Sequence, residues 1–229
     1  MTGGMTGWLR KRVRPVMLGA AIVVALGTRV LAASPPSLTI VAFGDSLTAG
    51  YGAPGGASYP DYLRAEMRAA GYQARVLNRG ESGDTTTDAL ARLPQVLALR
   101  PGWVILEFGA NDGLRGLPVA TTRANLQQLI TGLRRGGAQV LLVGMSLPPN
   151  YGPDYIQAFQ RIFAALARAN HLPFVPFIYQ DLVPKLKQDR GLLQPDGLHA
   201  TARGNRMVAA TIWGYLRPRL PPAVGVTRR

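Results

Sequence analysis

The chain has 229 residues, 47% of them hydrophobic, a formal charge of +14 and no cysteine. That length and apolar content suit one domain with a sizeable core. The lack of thiols excludes a disulfide framework, a thiolate nucleophile and any cysteine-based zinc site. With His171 and His199 as the two histidines, any catalytic imidazole is one of them.

The charge is uneven. Arg10, Lys11, Arg12, Arg14 and Arg29 fall in the first 33 residues, which carry no acid; 21 basic and 12 acidic residues then leave +9 for the rest. Those basic residues are scattered and no aromatic-basic motif accompanies them, so no nucleic-acid partner is expected. A basic surface does favour transient contact with an anionic membrane. The basic cluster at 10–14, the apolar run at 15–27 and the small residues Ala32, Ala33 and Ser34 have the layout of a secretory signal. The run falls short of the roughly 20 residues that span a bilayer. The expected organisation is a signal peptide over 1–33, a catalytic domain over 34–220 and a tail over 221–229. The product is then periplasmic or secreted, with an uncleaved inner-membrane anchor as the alternative.

After Pro35-Pro36, residues 38–43 form a β-rich apolar run that ends at Gly44, as a buried parallel strand does. A glycine-rich loop over 50–56 leads to Ser58, which caps a helix through Ala70 with Gly71 as its stop. A second strand covers 74–77. A helix over 85–99 contains Pro94, which should kink or shorten it. A third strand over 103–108 ends in a Gly-Ala-Asn-Asp-Gly turn at 109–113. An amphipathic helix over 122–135, with Leu126, Leu129, Ile130 and Leu133 on one face, stops at Gly136-Gly137. A fourth strand at 139–143, a helix at 155–169, a short fifth strand within 171–177, a helix at 181–188 and a final helix at 202–216 complete the pattern. Alternation of this kind implies an α/β domain, a parallel sheet covered on both faces. Sites in such sheets lie beyond the carboxyl ends of the strands, so the polar turns at 44–48, 80–84 and 109–112 should crowd one edge.

The first of these turns holds Gly44-Asp45-Ser46-Leu47. A serine hydroxyl becomes a useful nucleophile only when a base takes its proton, and taken alone Ser46 reads equally well as a helix cap. The C-terminal Asp196-Gly197-Leu198-His199 supplies the base. Across a turn, Asp196 can accept from one ring nitrogen of His199 and fix the tautomer that presents the other to Ser46. His171, with no acid near it in sequence, reads as structural. Gly83 can present a backbone N–H without a side chain in the way, and the Asn111 amide can donate to the same oxygen. Asp45 and Asp84 read as loop-organising carboxylates.

These blocks resemble the SGNH, or GDSL, hydrolase family: GDSLTAGYG at 44–52, ESGDTT at 81–86, GANDGLRG at 109–116 and DGLH at 196–199. ARLP at 91–94 and LPPNYG at 147–152 are similar to the bacterial periplasmic thioesterase I/lysophospholipase/arylesterase subgroup. The resemblance runs from about Leu38 to Leu216. It implies a three-layer sandwich around a five-stranded parallel, flavodoxin-like sheet. It also implies a triad of Ser46, Asp196 and His199, with an oxyanion hole built from Ser46, Gly83 and Asn111. By the same resemblance the substrates are aryl esters, lysophospholipids or acyl thioesters; the chemistry of such a triad requires no metal or organic cofactor, and a monomer is expected. The α/β-hydrolase pattern Gly-x-Ser-x-Gly is not met, because Thr48 stands two residues after Ser46. The rival readings are an acyltransferase or carbohydrate acetylesterase on the same site, and a non-catalytic binding module.

Overall fold

A computed structural model describes Met1, Gly3 and residues 38–223; the expected signal sequence beyond those two residues, and the tail from 224 onward, lie outside the described residues. The compact unit Pro35–Arg229 is organised by one sheet of five parallel strands. These are β1 (Leu38–Gly44), β2 (Ala74–Gly80), β3 (Trp103–Glu107), β4 (Gln139–Val143) and β5 (Phe174–Val175), in the order β2-β1-β3-β4-β5. Strands β1 and β3 read as unbroken apolar runs because both faces are covered: Ile40 to Phe43 and Val104 to Leu106 are fully buried.

The helices are α1 (Ser46–Ala49), α2 (Tyr59–Ala69), α3 (Thr86–Ala98), α4 (Ala110–Leu114), α5 (Val119–Arg135), α6 (Pro153–Ala169) and α7 (Ala202–Leu216). α2 packs on α7 against one face of the sheet, while α3, α5 and α6 stand side by side against the other. This is the three-layer sandwich that the family resemblance implies, and it agrees with the alternating pattern. Thr85 caps α3 through a reciprocal box with Asp88. Pro94 sits inside α3 without ending it, because the helix is held against α5 so closely that a Cβ on Gly132 would meet Leu93 at 2.6 Å.

Two expectations are corrected. The turns after β1 and β3 each contain a short helix, α1 and α4, which begin after Asp45 and after Phe108-Gly109 respectively. The helix expected at 181–188 is instead a 3-10 turn at Val183–Lys185. Pro184 has no N–H to continue an α-helical ladder, and the segment closes with shorter bonds, Lys185 N–H to the Leu182 carbonyl and Leu186 N–H to the Val183 carbonyl.

Register positions the site. Gly44 lies beside Gly80 on β2 and beside Glu107 on β3, so the chain leaves three neighbouring strands at one level. The order reverses at β1, where the next strand in sequence lies on one side and the third on the other. A ligand crevice opens at such a switch point.

Candidate active site

Ser46 opens α1, and the preceding Asp45 caps that helix: its Oδ1 accepts the Leu47 N–H at 3.0 Å. The helix lies so close to β2 that a Cβ on Gly80 would stand 2.1 Å from the Ala49 nitrogen, a contact only glycine permits. Gly83 adopts φ +90, and its carbonyl is engaged by Arg115 Nη2 at 2.8 Å. Asn111, in α4, donates from Nδ2 to the Asp84 carbonyl at 2.9 Å and to Asp45 Oδ2 at 3.3 Å. These bonds tie the three turns together. Arg92 binds them from beneath, donating to Asp84 Oδ2 at 2.6 Å and to the Gly44 carbonyl at 3.2 Å. Among the described residues, the N–H groups of Ser46 and Gly83 donate to no protein acceptor.

The fourth block is a small hairpin. Leu193 pairs antiparallel with Ala200, and Gln194 N–H donates to the His199 carbonyl at 2.8 Å. At its tip Asp196 Oδ1 accepts two backbone N–H groups, from Leu198 at 2.9 Å and His199 at 3.0 Å. Its Oδ2 lies 2.7 Å from His199 Nδ1, and His199 Nε2 lies 2.9 Å from Ser46 Oγ. Partial burial acts to raise the Asp196 carboxyl, but these backbone bonds and the imidazole outweigh it and hold the carboxyl below the ordinary carboxylate range. The Tyr51 ring lies 4.7 Å from the imidazole, tilted at 47°. Thus Ser46, Gly83, Asn111, Asp196 and His199 meet at one place. His171 does not join them; it occupies the turn after α6 with φ +50.

A model of the GDSL-like lipase/acylhydrolase family matches residues 42–207, a stretch that holds all five of those residues. The chain belongs to this family. It is 36% identical over 208 residues to esterase TesA of Pseudomonas aeruginosa, an alignment covering 90% of this chain and all of that protein. It is 34% identical to thioesterase 1/protease 1/lysophospholipase L1 of Escherichia coli K12, over 79% of this chain and 84% of that one. Among solved structures, it resembles the psychrotrophic esterase EstA from Pseudoalteromonas sp., inhibited by monoethylphosphonate. There the TM-score is 0.73 at 30% identity, covering 79% of this chain and 97% of EstA. Membership makes the protein a carboxylic ester hydrolase with small-molecule ester substrates.

Beside Ser46 lies a cleft of about 820 Å³. The loop after β4 contributes Leu147 and Pro148 to it, and the segment after β5 contributes Phe177, Val183 and Leu186.

Behind Ser46 sits a group that the motifs do not contain. Glu107, the last residue of β3, is fully buried. Its Oε2 accepts from Thr48 Oγ1 at 2.6 Å and from the Asp45 N–H at 3.4 Å, and Thr48 Oγ1 also meets the Tyr59 hydroxyl at 3.1 Å. Oε1 has no hydrogen-bond partner among the described residues. Burial, then the proximity of Asp45, raises the Glu107 carboxyl well above its ordinary value; burial raises Asp45 as well. A protonated Glu107 suits both observations. The signal was present in the sequence: an acid closing the otherwise apolar run Trp-Val-Ile-Leu-Glu-Phe cannot be solvated if both faces of the strand are covered.

The folded chain holds protons on this pair where the unfolded chain has released them. The contribution to stability is therefore intact below the ordinary carboxylate range and is lost as pH rises through neutrality. Glu107→Gln keeps an acceptor for Thr48 and Asp45 but cannot ionise. The melting temperature of this variant should fall less between pH 5 and pH 9 than that of the parent. Parallel melting curves across that range would show that Glu107 does not titrate with folding.

Proposed function

We propose that the chain hydrolyses acyl esters through an acyl-enzyme on Ser46. The observation that carries this reading is the hydrogen-bonded line from Ser46 Oγ through His199 to Asp196, at 2.9 and 2.7 Å, opening on an apolar cleft. His199 Nε2 takes the Ser46 proton as Oγ bonds to the substrate carbonyl carbon. The carbonyl electron pair moves onto oxygen, where the N–H groups of Ser46 and Gly83 and the Asn111 amide receive it. Of the two bonds Asn111 makes, the longer, to Asp45, is the one this oxyanion displaces. His199 then hands its proton to the leaving alcohol as the ester C–O bond breaks. Water repeats the sequence, breaking the acyl–Ser46 bond and releasing the acid. Asp196 holds the Nδ1 proton throughout and stabilises the imidazolium. The inhibition of EstA by a phosphonate supports the reading, because a tetrahedral phosphorus acid has the shape of the intermediate at this step.

The apolar cleft suits aryl esters and acyl chains such as those of lysophospholipids, with acyl thioesters as chemically allowed substrates. We place the protein in the periplasm or outside the cell, delivered by the signal sequence over 1–33, and working as a monomer. Among the described residues no helix is long and apolar enough to cross a membrane.

Asn111→Ala tests the oxyanion assignment on p-nitrophenyl esters. Removing one donor should lower kcat by ~10²–10³ with KM nearly unchanged. A raised KM at full kcat would instead make Asn111 a ground-state binding group.

A further inference from the structure

Single exposed apolar side chains are ordinary on a protein surface; three at one opening are not. Apart from Met1, the large hydrophobic residues most exposed among those described are Tyr51, Val183 and Leu198, at 53%, 44% and 38%. They come from three different segments: the loop after α1, the 3-10 turn after β5, and the hairpin that carries Asp196 and His199. All three line the cleft beside Ser46.

The charge near this opening is mixed in sign, on a domain that carries a net +9 beyond residue 33. Lys185, Lys187 and Arg190 follow Val183 closely and are exposed, and among the described residues none of them forms an ion pair. The carboxylates of the same stretch are engaged. Asp181 accepts from Thr211 Oγ1 at 2.7 Å, Asp189 is paired with Arg203, and Asp196 with His199. The rim therefore offers apolar side chains beside exposed cations that are free of ion pairs, on a domain of net positive charge, the pairing that lets a protein seat itself at the headgroup level of an anionic lipid surface.

We propose that the mouth of the cleft is a docking surface for an anionic bilayer, with Tyr51, Val183 and Leu198 entering the interface and Lys185, Lys187 and Arg190 contacting its headgroups. Seated this way, the cleft takes a single-chain phospholipid along its length without first drawing it into water. The choice of lipid as substrate rests on the acyl-ester reading above; the docking itself does not.

Because the chain has no cysteine, one label reports one position. In the full chain carrying Ser46→Ala, so that no lipid is turned over, Val183→Cys and Leu198→Cys each receive an environment-sensitive fluorophore. Arg135→Cys, exposed at the end of α5, is the control. With phosphatidylglycerol vesicles the labels at 183 and 198 should shift to the blue and the label at 135 should not. Phosphatidylcholine vesicles should give little shift, and 0.5 M salt should reduce the phosphatidylglycerol response. Adding Lys185→Gln and Lys187→Gln should weaken that response roughly 10- to 30-fold in lipid concentration. Three results would overturn the proposal: co-sedimentation with vesicles but no shift at 183 or 198 (binding through the N-terminal basic segment alone), equal shifts on both lipids, or equal shifts at all three positions. None of them touches ester hydrolysis by the parent chain, so the two readings fail separately.

Discussion

Replacing Ser46 with alanine should lower kcat for p-nitrophenyl esters by ~10⁴–10⁶ and leave the fold in place. The size follows from what is removed. Without Oγ there is no acyl-enzyme, and only direct attack by water remains, helped by whatever the oxyanion donors and the cleft contribute. Fold retention follows from the contacts: among the described residues the Ser46 side chain bonds to His199 alone, while the cap of α1 belongs to Asp45. A surface change of this kind moves stability by about 0.5 kcal/mol or less. The check is paired, with turnover measured beside a thermal melt. A folded Ser46→Ala protein with near-normal turnover would remove Ser46 from the chemistry.

Asp196→Asn should cost about 10⁴ in kcat, and the structure says why an amide cannot stand in for the carboxylate. Oδ1 of Asp196 accepts two backbone N–H groups, so an asparagine must turn its own oxygen to them. That leaves its NH₂ facing His199 Nδ1, 2.7 Å away in the parent. Nδ1 must then accept, the ring proton moves to Nε2, and Nε2 no longer has a lone pair for the Ser46 proton. A wrong tautomer of this sort lowers kcat by about 10⁴ in a serine triad. KM should change little, because Asp196 holds the base and not the acyl chain. Activity above a tenth of the parent's would mean that another group fixes the imidazole.

Much of this was legible from residues alone because it is local chemistry. β1 and β3 announce themselves as short apolar runs, and the strand–helix alternation carries the sheet. Each of the four polar blocks sits where a parallel strand or a terminal turn ends, so their convergence follows from topology. Less was legible where tertiary contact decides the outcome. The segment at 181–188 has helix-forming residues, yet Pro184 and packing beneath the cleft turn it into a 3-10 turn. The turns after β1 and β3 became helices of four and five residues, too short for periodicity to register. Arg92 was visible as part of a motif, but that its guanidinium joins Gly44 to Asp84 depends on side-chain reach across two strands. Glu107 was passed over for the same reason: its partners Thr48 and Asp45 are distant in sequence, and only the fold brings them together.

The hairpin from Leu193 to Ala200 keeps the acid and the base in one short, internally bonded piece of chain, with the nucleophile on another element entirely. Acid–base alignment is therefore insulated from movements of the cleft. Were this loop to shift when a bulky acyl group enters or leaves, His199 would carry its oriented proton with it; the contacts to be remade are the 2.9 Å step to Ser46 and the anchors from Gln194 to the Tyr51 carbonyl and from the Tyr179 hydroxyl to the Leu198 carbonyl. Two of those anchors, Tyr51 and Tyr179, line the cleft beside Ser46, so the hairpin is held in place where substrate itself arrives.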